Sequence, residues 1–451
     1  MPLFTRRVLQ RLLDENARLL TPAQTSEHVK RLNATGSRVL QTEWEVALVN
    51  AFAQVGSVRY EDPLSDGKKV DLTCTLRVDP PWAFVADIIT VSDKGFHEQN
   101  RYRELQDHVI TLARENGLPG GGWDIRVEGD HVGPHYRGRR MQLSLPRTPE
   151  EIAAFDAALT KYFADLRAQP TASTTLRHYQ GKVKVTITHT PGGEFISGGH
   201  PSYTTAYGIA NNPVYRALQD KAKKLRSVER SMPRGVIVSD GDCATLRTLH
   251  GDPNGFGLRR IVQEALGRDD EVDFVLCLPV HTRSRSLVSP FPSEIYIQPH
   301  LFILQPSVPK FIPQAAAALE AVASFLPTIH RTPQNAILHS RVEHRRRTKY
   351  ANGGWAMADP EVRISARALL NLLTGNISQR EFFEANNYVV AHDPRGARPM
   401  NPFRLLSKDG RLFVSARVER SPEEDDDEVV FRFGNPDPAV GPFRDPTAPS
   451  R

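Results

Sequence analysis

The fold class depends most on residues 70–91, which read VDLTCTLRVDPPWAFVADIITV. Side chains alternate in character over residues 70–78, and residues 83–91 are almost wholly apolar, as expected of a central strand. An Asp-Pro-Pro turn separates the two segments. The stretch therefore predicts two adjacent strands, one carrying Asp71 and the other Asp87.

A helix is predicted before these strands, over residues 42–56. Thr42 suits the N-cap, and Glu45 stands three residues further on, which is the spacing of a capping box. Gly56 suits the position after a helix end. Two interpretations of Glu45 stay open, because it can serve the helix terminus or point into a site, whereas Glu43 lies nearer the flank of the helix.

The two strand aspartates are candidate metal ligands. Asp87 has apolar neighbours on both sides, and a buried carboxylate is costly unless it is paired or binds a metal. Carboxylates on neighbouring strands, such as Asp71 and Asp87, repel each other unless a divalent cation lies between them. Mg²⁺ or Mn²⁺ held by one or two carboxylates fits phosphodiester chemistry.

This order of elements resembles the restriction-endonuclease-like fold of the PD-(D/E)XK nuclease superfamily, with Glu45 on the helix and Asp71 and Asp87 on the strands. The resemblance covers residues 43–95 and extends loosely to about residue 305. It implies an α/β fold with a mixed central sheet flanked by helices. It also implies metal-dependent hydrolysis of DNA or RNA, with DNA the first expectation, in bacterial defence or DNA processing.

The last position of the family motif differs in this chain. Ile89 stands two residues after Asp87, where the family has lysine. Lys69 precedes Asp71 by two residues, and on a strand this spacing places both side chains on one face. Lys69 is therefore the candidate substitute that stabilises charge on the phosphate, while Glu45 orients the attacking water. The alternative is a catalytically inactive nuclease-fold protein that binds nucleic acid or serves as a scaffold.

Further acidic residues follow predicted strands. Asp240 and Asp242 resemble the nucleophile loop of haloacid-dehalogenase-type phosphatases, and an Asp-Gly turn at a strand end is the alternative interpretation. Asp93 shares a face with Asp87 by period-two counting, and a plain β-turn through residues 92–95 is the alternative. A release of phosphate that depends on Asp240 would distinguish the phosphatase.

Histidine spacing offers one more candidate metal site. His131 and His135 are four residues apart, but the Gly-Pro pair between them breaks any helix, so a surface turn is the alternative. A glycine-rich stretch over residues 191–199 lacks the Gly-Lys-Ser/Thr of a phosphate-binding loop. We interpret it as a loop.

Two basic clusters are candidate contacts for nucleic acid, because lysine and arginine dominate contacts to phosphates. Lys221 and Lys224 lie on a predicted helix, and Arg345, Arg346 and Arg347 form the densest basic block. A solvated helix face and a basic linker are the alternative interpretations.

Composition and patterning set the remaining expectations. The chain has 451 residues, a formal charge of +6 and three widely spaced cysteines, which favours a reducing cytoplasm over a disulfide framework. No apolar stretch is long enough for a membrane span, and the first residues read as an amphipathic helix. We expect an N-terminal helical segment over 1–35, the α/β domain over 36–344 and a small C-terminal α+β module with a frayed tail over 345–451.

Overall fold

A computed structural model describes residues 3–34, 37–63, 67, 69–93, 95–132, 140–193, 195–201, 209–229, 231–251, 256–267, 271–283, 294–304, 311–329, 331–333, 357–358, 361–379, 382, 402–408 and 410–437. The chain divides into two compact units. The larger is mainly Leu9–Val342, and the smaller combines Thr5–Val8 with Glu343–Arg451.

The helices and strands are numbered in chain order. The labelled helices are α1 (Arg6–Asn16), α2 (Pro22–Leu32), α3 (Ser37–Val55), α4 (Phe96–Glu115), α5 (Pro149–Ala168), α6 (Pro213–Leu225), α7 (Leu258–Leu266) and α8 (Pro313–Ala321). Two further helices, Ala366–Leu373 and Pro402–Lys408, belong to the smaller unit. The strands are β1 (Gly56–Pro63), β2 (Lys69–Leu76), β3 (Trp82–Val91), β4 (Trp123–Val127), β5 (Gly129–Val132), β6 (Arg140–Leu143), β7 (Thr174–Gln180), β8 (Val183–His189), β9 (Ile196–Gly199), β10 (Arg234–Asp240), β11 (Phe274–Leu278), β12 (Val280–Arg283), β13 (Glu294–Ile297), β14 (His300–Ile303), β15 (Met357–Ala358), β16 (Glu361–Ser365), β17 (Arg411–Glu419) and β18 (Glu428–Pro436). Across the described residues, each helix is too short or too polar to traverse a bilayer.

The central sheet of the larger unit has six strands in the order β1-β2-β3-β10-β11-β14. The first three strands form an antiparallel meander. β10 runs parallel to both β3 and β11, and β14 pairs antiparallel with β11. The expectation of an α/β protein with a mixed sheet is therefore confirmed.

Helices pack on both faces of this sheet. Phe52 of α3 packs edge-on against Phe84 of β3, with ring centroids 5.8 Å apart. Val85, the next residue, joins the opposite core that includes apolar residues of α6 and α7. Because side chains alternate along a strand, Asp87 points to the same side as Val85, towards α6.

The start of α3 differs from the sequence prediction. The helix begins at Ser37, and Thr42 lies inside it, where its Oγ1 donates to the carbonyl of Arg38 at 2.9 Å. Val39 and Leu40 are buried, so the apolar stripe starts earlier than the capping-box spacing indicates. The N-cap role of Thr42 was therefore wrong, and Gly56 opens β1.

Residues 294–304 do not form a single strand. They contain two short strands, β13 and β14, that belong to different sheets. β13 pairs with β12, whereas β14 completes the edge of the central sheet. The single apolar run contains a break at Gln298, whose amide donates to the carbonyl of Pro279 at 3.2 Å.

A second sheet lies between β3 and α6 in the chain. Its order is β7-β8-β4-β9, with β9 parallel and β8 antiparallel to β4. Alternate residues of β4 and β8 pack with α4 and α5 into a core that includes Trp123, Val185 and Phe163. The intervening residues face away from this core, as the alternating pattern of β8 predicts.

The smaller unit has its own sheet, in the order β15-β16-β18-β17, and its own core, which includes Val362, Ile364 and Phe433. The acidic residues 423–427 lie in the turn between β17 and β18. Within this turn, Asp425 is buried and accepts the backbone amides of Arg6 and Arg7.

Candidate active site

Asp71 and Asp87 lie side by side on neighbouring strands. The register that pairs Leu72 with Ala86 places the two aspartates opposite each other. The amide of Asp71 donates to Asp87 Oδ1 at 3.2 Å, and the amide of Ile88 donates to Asp71 Oδ2 at 2.8 Å. The convergence expected from the strand order is thus present.

Two lysines of α6 complete the cluster. Lys224 Nζ lies 2.5 Å from Asp87 Oδ1 and 3.3 Å from Asp71 Oδ1, so it bridges both carboxylates. Lys221 Nζ lies 3.3 Å from Asp71 Oδ2 and 3.7 Å from Asp87 Oδ2. Their spacing of three residues places both on one face of the helix. Lys221 and Lys224 therefore point at the aspartates. They do not form the outward, phosphate-binding helix face that the sequence predicted.

Local sequence explains why α6 presents the lysines in this way. Asn212 is its N-cap, and Oδ1 of that residue accepts the amides of Val214 and Tyr215 at 2.9 and 3.5 Å. The Nδ2 of Asn212 donates to Thr245 Oγ1 at 2.8 Å, which ties the helix start to the segment after β10. Proline at the first helical position fits the same start.

The lysines separate the acidities of the two aspartates. Burial alone would raise the pKa of Asp71, but Lys221, Lys224 and the amide of Ile88 lower it below its ordinary value. Burial and the charge of Asp71 raise the pKa of Asp87, and the lysines offset only part of that rise. Although burial opposes it, the two aspartates raise the pKa of Lys224. The cluster therefore combines a firmly ionised carboxylate with one that holds a proton more readily.

Glu45 lies near this cluster but has its own partners. Its Oε1 accepts from Gln41 Nε2 at 2.9 Å, and its Oε2 accepts from the Tyr60 hydroxyl at 3.2 Å. Arg31 Nη1 lies 3.5 Å from Oε2. Glu43, the other helix candidate, accepts the amides of Leu3 and Phe4 instead.

Burial dominates the acid–base properties around Glu45. Burial and the nearby charge of Asp71 raise the pKa of Glu45. Burial, together with Arg31, lowers the pKa of His28 to about 4, and the ring Nε2 of His28 lies 3.0 Å from the Tyr60 hydroxyl. Burial and the charges of Glu45 and Asp71 raise the pKa of Tyr60. A neutral histidine, a neutral tyrosine and a weakly acidic glutamate therefore adjoin one another at pH 7.

Lys69 does not lie at the aspartate pair, contrary to the prediction. Its Nζ contacts Glu61 Oε2 at 3.2 Å, and its side chain is 58 % exposed. Lys69 stands at the first position of β2, opposite Pro63, where the strand pair opens to solvent. The lysines that contact the aspartates come from α6 instead.

Asp240 is occupied by hydrogen bonds. Its Oδ1 accepts the amides of Asp242 and Cys243 at 2.7 and 2.9 Å, and its Oδ2 accepts the amide of Val280 at 3.0 Å. Burial raises the pKa of Asp240 to about 6. Arg247 pairs with Asp242. These contacts are those of a turn that closes β10, the interpretation that competed with the phosphatase motif.

Asp93 belongs to the same turn. It is buried, and its Oδ2 accepts the amide of Ala244 at 2.9 Å. Its Oδ1 accepts from Cys243 Sγ at 3.4 Å. Asp93 therefore connects the end of β3 to the segment after β10.

Other candidates lie apart from the site or beyond the described residues. Arg345, Arg346 and Arg347 fall outside the described residues, as does His135. His131 lies on β5 and is exposed. The structure therefore adds nothing to the predictions for the arginine block or for a histidine metal site.

The aspartate pair offers hard oxygen ligands, which Mg²⁺ and Mn²⁺ prefer. Asp87 Oδ2 is buried and has no hydrogen-bond partner among the described residues. In the same part of the chain, no set of three His, Cys, Asp or Glu side chains is arranged around one point. Two carboxylates are enough for Mg²⁺, which usually keeps several waters, so Asp71 and Asp87 fit such an ion.

Sequence reasoning found the aspartates but not the residues that face them. Lys221 and Lys224 are about 150 residues from Asp71 along the chain, so no local motif joins them. A usable signal was present, because two lysines spaced like helix neighbours precede the buried strand β10. Tyr60 and His28 carry no signal in the sequence, since their contacts with Glu45 depend on how β1 and α2 pack.

The candidate residues follow one another along the chain in the order that the resemblance implies. Glu45 lies on α3, Asp71 on β2 and Asp87 on β3, with β1 between the helix and the first aspartate. A comparison of the chain with protein-family models, curated proteins and solved structures finds no match.

Proposed function

We propose that the chain is a metal-dependent nuclease with a restriction-endonuclease-like fold, which hydrolyses phosphodiester bonds of DNA in preference to RNA. The observation that carries this proposal is the pair Asp71 and Asp87, held together with Lys224 Nζ at 3.3 and 2.5 Å from them. Adjacent carboxylates beside a lysine provide the groups that phosphodiester hydrolysis needs, a cation site and a positive charge for the phosphate.

The order of elements supports the same proposal. α3 precedes the antiparallel meander β1-β2-β3, and α6 leads into β10, which runs parallel to β3. Glu45 lies on α3, while the aspartates lie on the second and third strands of the meander. The site is therefore assembled from neighbouring elements of one sheet.

Each residue has a distinct role in this proposal. Asp71 and Asp87 would hold Mg²⁺ or Mn²⁺, which polarises the phosphate and lowers the pKa of water when bound. Lys221 and Lys224 take the role first assigned to Lys69, and stabilise negative charge that develops on the phosphate. Glu45 has a raised pKa and accepts a proton from the attacking water more readily than an ordinary carboxylate.

A second function has one observation in its favour. Both aspartates form ion pairs with lysines, so their charges are compensated without any ion. Such an arrangement suits a nuclease-fold protein that binds nucleic acid or acts as a scaffold without cutting. The two functions predict different behaviour of the purified chain.

The test uses supercoiled plasmid and a single-stranded RNA, each with Mg²⁺, Mn²⁺ or EDTA. We expect plasmid cleavage with metal, no cleavage in EDTA, and a loss of at least a hundredfold in Asp87→Asn. Asp220→Asn is the matched control, because Asp220 is an exposed carboxylate on α6 that pairs with Lys223. Circular dichroism and thermal unfolding establish that both variants are folded.

Binding of nucleic acid without cleavage by the parent chain would overturn the nuclease and support the binding protein. Equal activity of Asp87→Asn and Asp220→Asn would remove the aspartate pair from the reaction. Faster cleavage of RNA than of plasmid would reverse the expected substrate preference.

A further inference from the structure

The outward face of the sheet β7-β8-β4-β9 carries a cavity of about 810 Å³. Its lining includes Arg126, Arg177, Tyr179, Thr186 and Gly199. The opposite face of this sheet is closed by α4 and α5. Cavities of this size are common at ligand sites, and the nuclease site does not include these residues.

Strand register arranges the outward residues in rows across the sheet. The first row contains Thr175, Thr188, Asp124 and Ser197. The second row contains Arg177, Thr186, Arg126 and Gly199. In the third row, Tyr179 lies opposite Lys184. In the second row, Thr186 therefore lies between the two arginines, and the four strands span about 15 Å, given about 4.8 Å between neighbours.

The acidic residues of this face accept hydrogen bonds from neighbouring side chains, while the arginine side chains stay exposed to solvent. Asp124 accepts from Ser197 Oγ and Arg126 Nε at 2.9 and 2.8 Å. Glu128 accepts from the Tyr179 hydroxyl at 2.7 Å. Arg126 nevertheless keeps 72 % of its side chain exposed, and Arg177 is also exposed. Lys184 Nζ also lies 3.5 Å from Glu128 Oε2. Arg126, Arg177 and Lys184 outnumber Asp124 and Glu128 on this face, which favours a negatively charged ligand.

Aromatic rings stand at two ends of the face. Tyr179 is 56 % exposed, although its hydroxyl is held by Glu128. Phe195 is 81 % exposed and directly precedes β9, at the other end of β4. Gly199 has open space where a side chain would start. Exposed rings beside cations are the pattern on which unpaired bases stack.

We propose that this face binds a single strand of nucleic acid, with phosphates at Arg126 and Arg177 and a base stacked on Tyr179. The proposal rests on the proposed function, because it names the surface that holds an unpaired stretch of the substrate. Paired bases keep their faces inside the duplex, so the tyrosine ring can stack only on an unpaired base.

The test measures fluorescence anisotropy of labelled dT15, U15 and a dA15·dT15 duplex with the full chain in EDTA. We expect the single strands to bind at least tenfold more tightly than the duplex. Tyr179→Ala should weaken binding of the single strands about tenfold, whereas Tyr179→Phe should stay within about twofold, because the ring is retained. Arg177→Ala should weaken binding and reduce its salt dependence by about one counterion.

Arg167→Ala is the control, because Arg167 is exposed on α5, on the other side of this layer. Parental affinity in both Tyr179→Ala and Arg177→Ala would overturn the inference, as would equal affinity for single strands and duplex. Because EDTA excludes cleavage, the result is independent of the nuclease test. If the chain binds single strands but never cleaves nucleic acid, the proposed nuclease function is refuted and the proposed binding surface is supported.

Discussion

Lys224 is the residue on which the candidate site depends most. Two aspartates that face each other in a buried position repel, and Lys224 lies within 3.3 Å of both. Removing one partner of a buried ion pair costs more than the pair itself contributes, because a charge is left without compensation. The lysine therefore stabilises the fold. In the proposed reaction it also stabilises the negative charge that develops on the phosphate.

Replacement of Lys224 by methionine should lower the free energy of unfolding by about 3 kcal/mol, since it leaves the aspartates with one lysine. Mn²⁺ should restore part of that loss, because a cation can take the vacated position. Thermal unfolding with and without Mn²⁺ measures both effects. Lys223→Met is the control, because Lys223 points outward and is 62 % exposed, and an equal loss in both variants would contradict this account.

His28 makes the stability of the folded chain depend on pH. Its pKa is about 4 in the folded chain, where burial and Arg31 disfavour the charged ring, against 6.5 ordinarily. Between these values the unfolded chain binds more protons, so stability is present above pH 6.5 and is lost as the pH falls towards 4. His28→Gln removes this titration and retains a polar side chain beside Tyr60.

The free energy of unfolding of the parent, relative to His28→Gln, should fall by about 2–3 kcal/mol between pH 7.5 and pH 4.5. Urea unfolding at both pH values measures this difference. His250→Gln, at an exposed histidine, should show no comparable change. A difference that is independent of pH would mean that His28 titrates normally.

At the scale of elements, the position of α6 decides whether its lysines reach the aspartates. Asn212 caps the helix and also contacts Thr245, and it is almost fully buried. Loss of an N-cap typically costs about 1 kcal/mol, and the lost contact to Thr245 adds to that cost. The cap therefore connects a local sequence signal to the geometry of the site.

Asn212→Ala should lower the free energy of unfolding by about 1–2 kcal/mol, as measured in urea. The proposed nuclease activity should fall as well, because Lys221 and Lys224 lose their fixed position. Asn211→Ala is a close control, because Asn211 is exposed and precedes the cap. Unchanged stability in Asn212→Ala would show that α6 is positioned by its apolar face alone.

The sequence predicted the elements whose pattern is local. β2 and β3 follow from alternation and apolar content, and they form where expected. The predicted start of α3 was wrong. Thr42 lies in mid-helix, where its hydroxyl donates to the carbonyl of Arg38 and does not cap the helix. β1 was missed, because its pairing with β2 depends on the meander and its own pattern is short.

The site shows the same division between local and distant information. Asp71 and Asp87 were identified because a carboxylate in an apolar strand is unusual. The contact of Lys224 with Asp87 joins residues 137 positions apart, and the spacing of the two lysines on α6 does not by itself identify the aspartates as their partners. Lys69 was preferred for its proximity in sequence, but Glu61 was available as a nearer partner.

At the scale of the whole molecule, charge is spread over several separate places. The formal charge of +6 is modest for 451 residues. Within the larger unit, Lys224 of α6 is half-buried against its aspartates, whereas Arg126 of the second sheet stays largely exposed although it pairs with Asp124. Net charge therefore says less about nucleic-acid contact than the degree to which each cation is exposed to solvent.

The buried turn of the smaller unit has a consequence for synthesis on the ribosome. Asp425 accepts the amides of Arg6 and Arg7, so one compact unit draws on both early and late parts of the chain. Domains emerge and fold from the N-terminal side first. The segment around Arg6 must wait, without its final partner, until more than four hundred further residues have been translated.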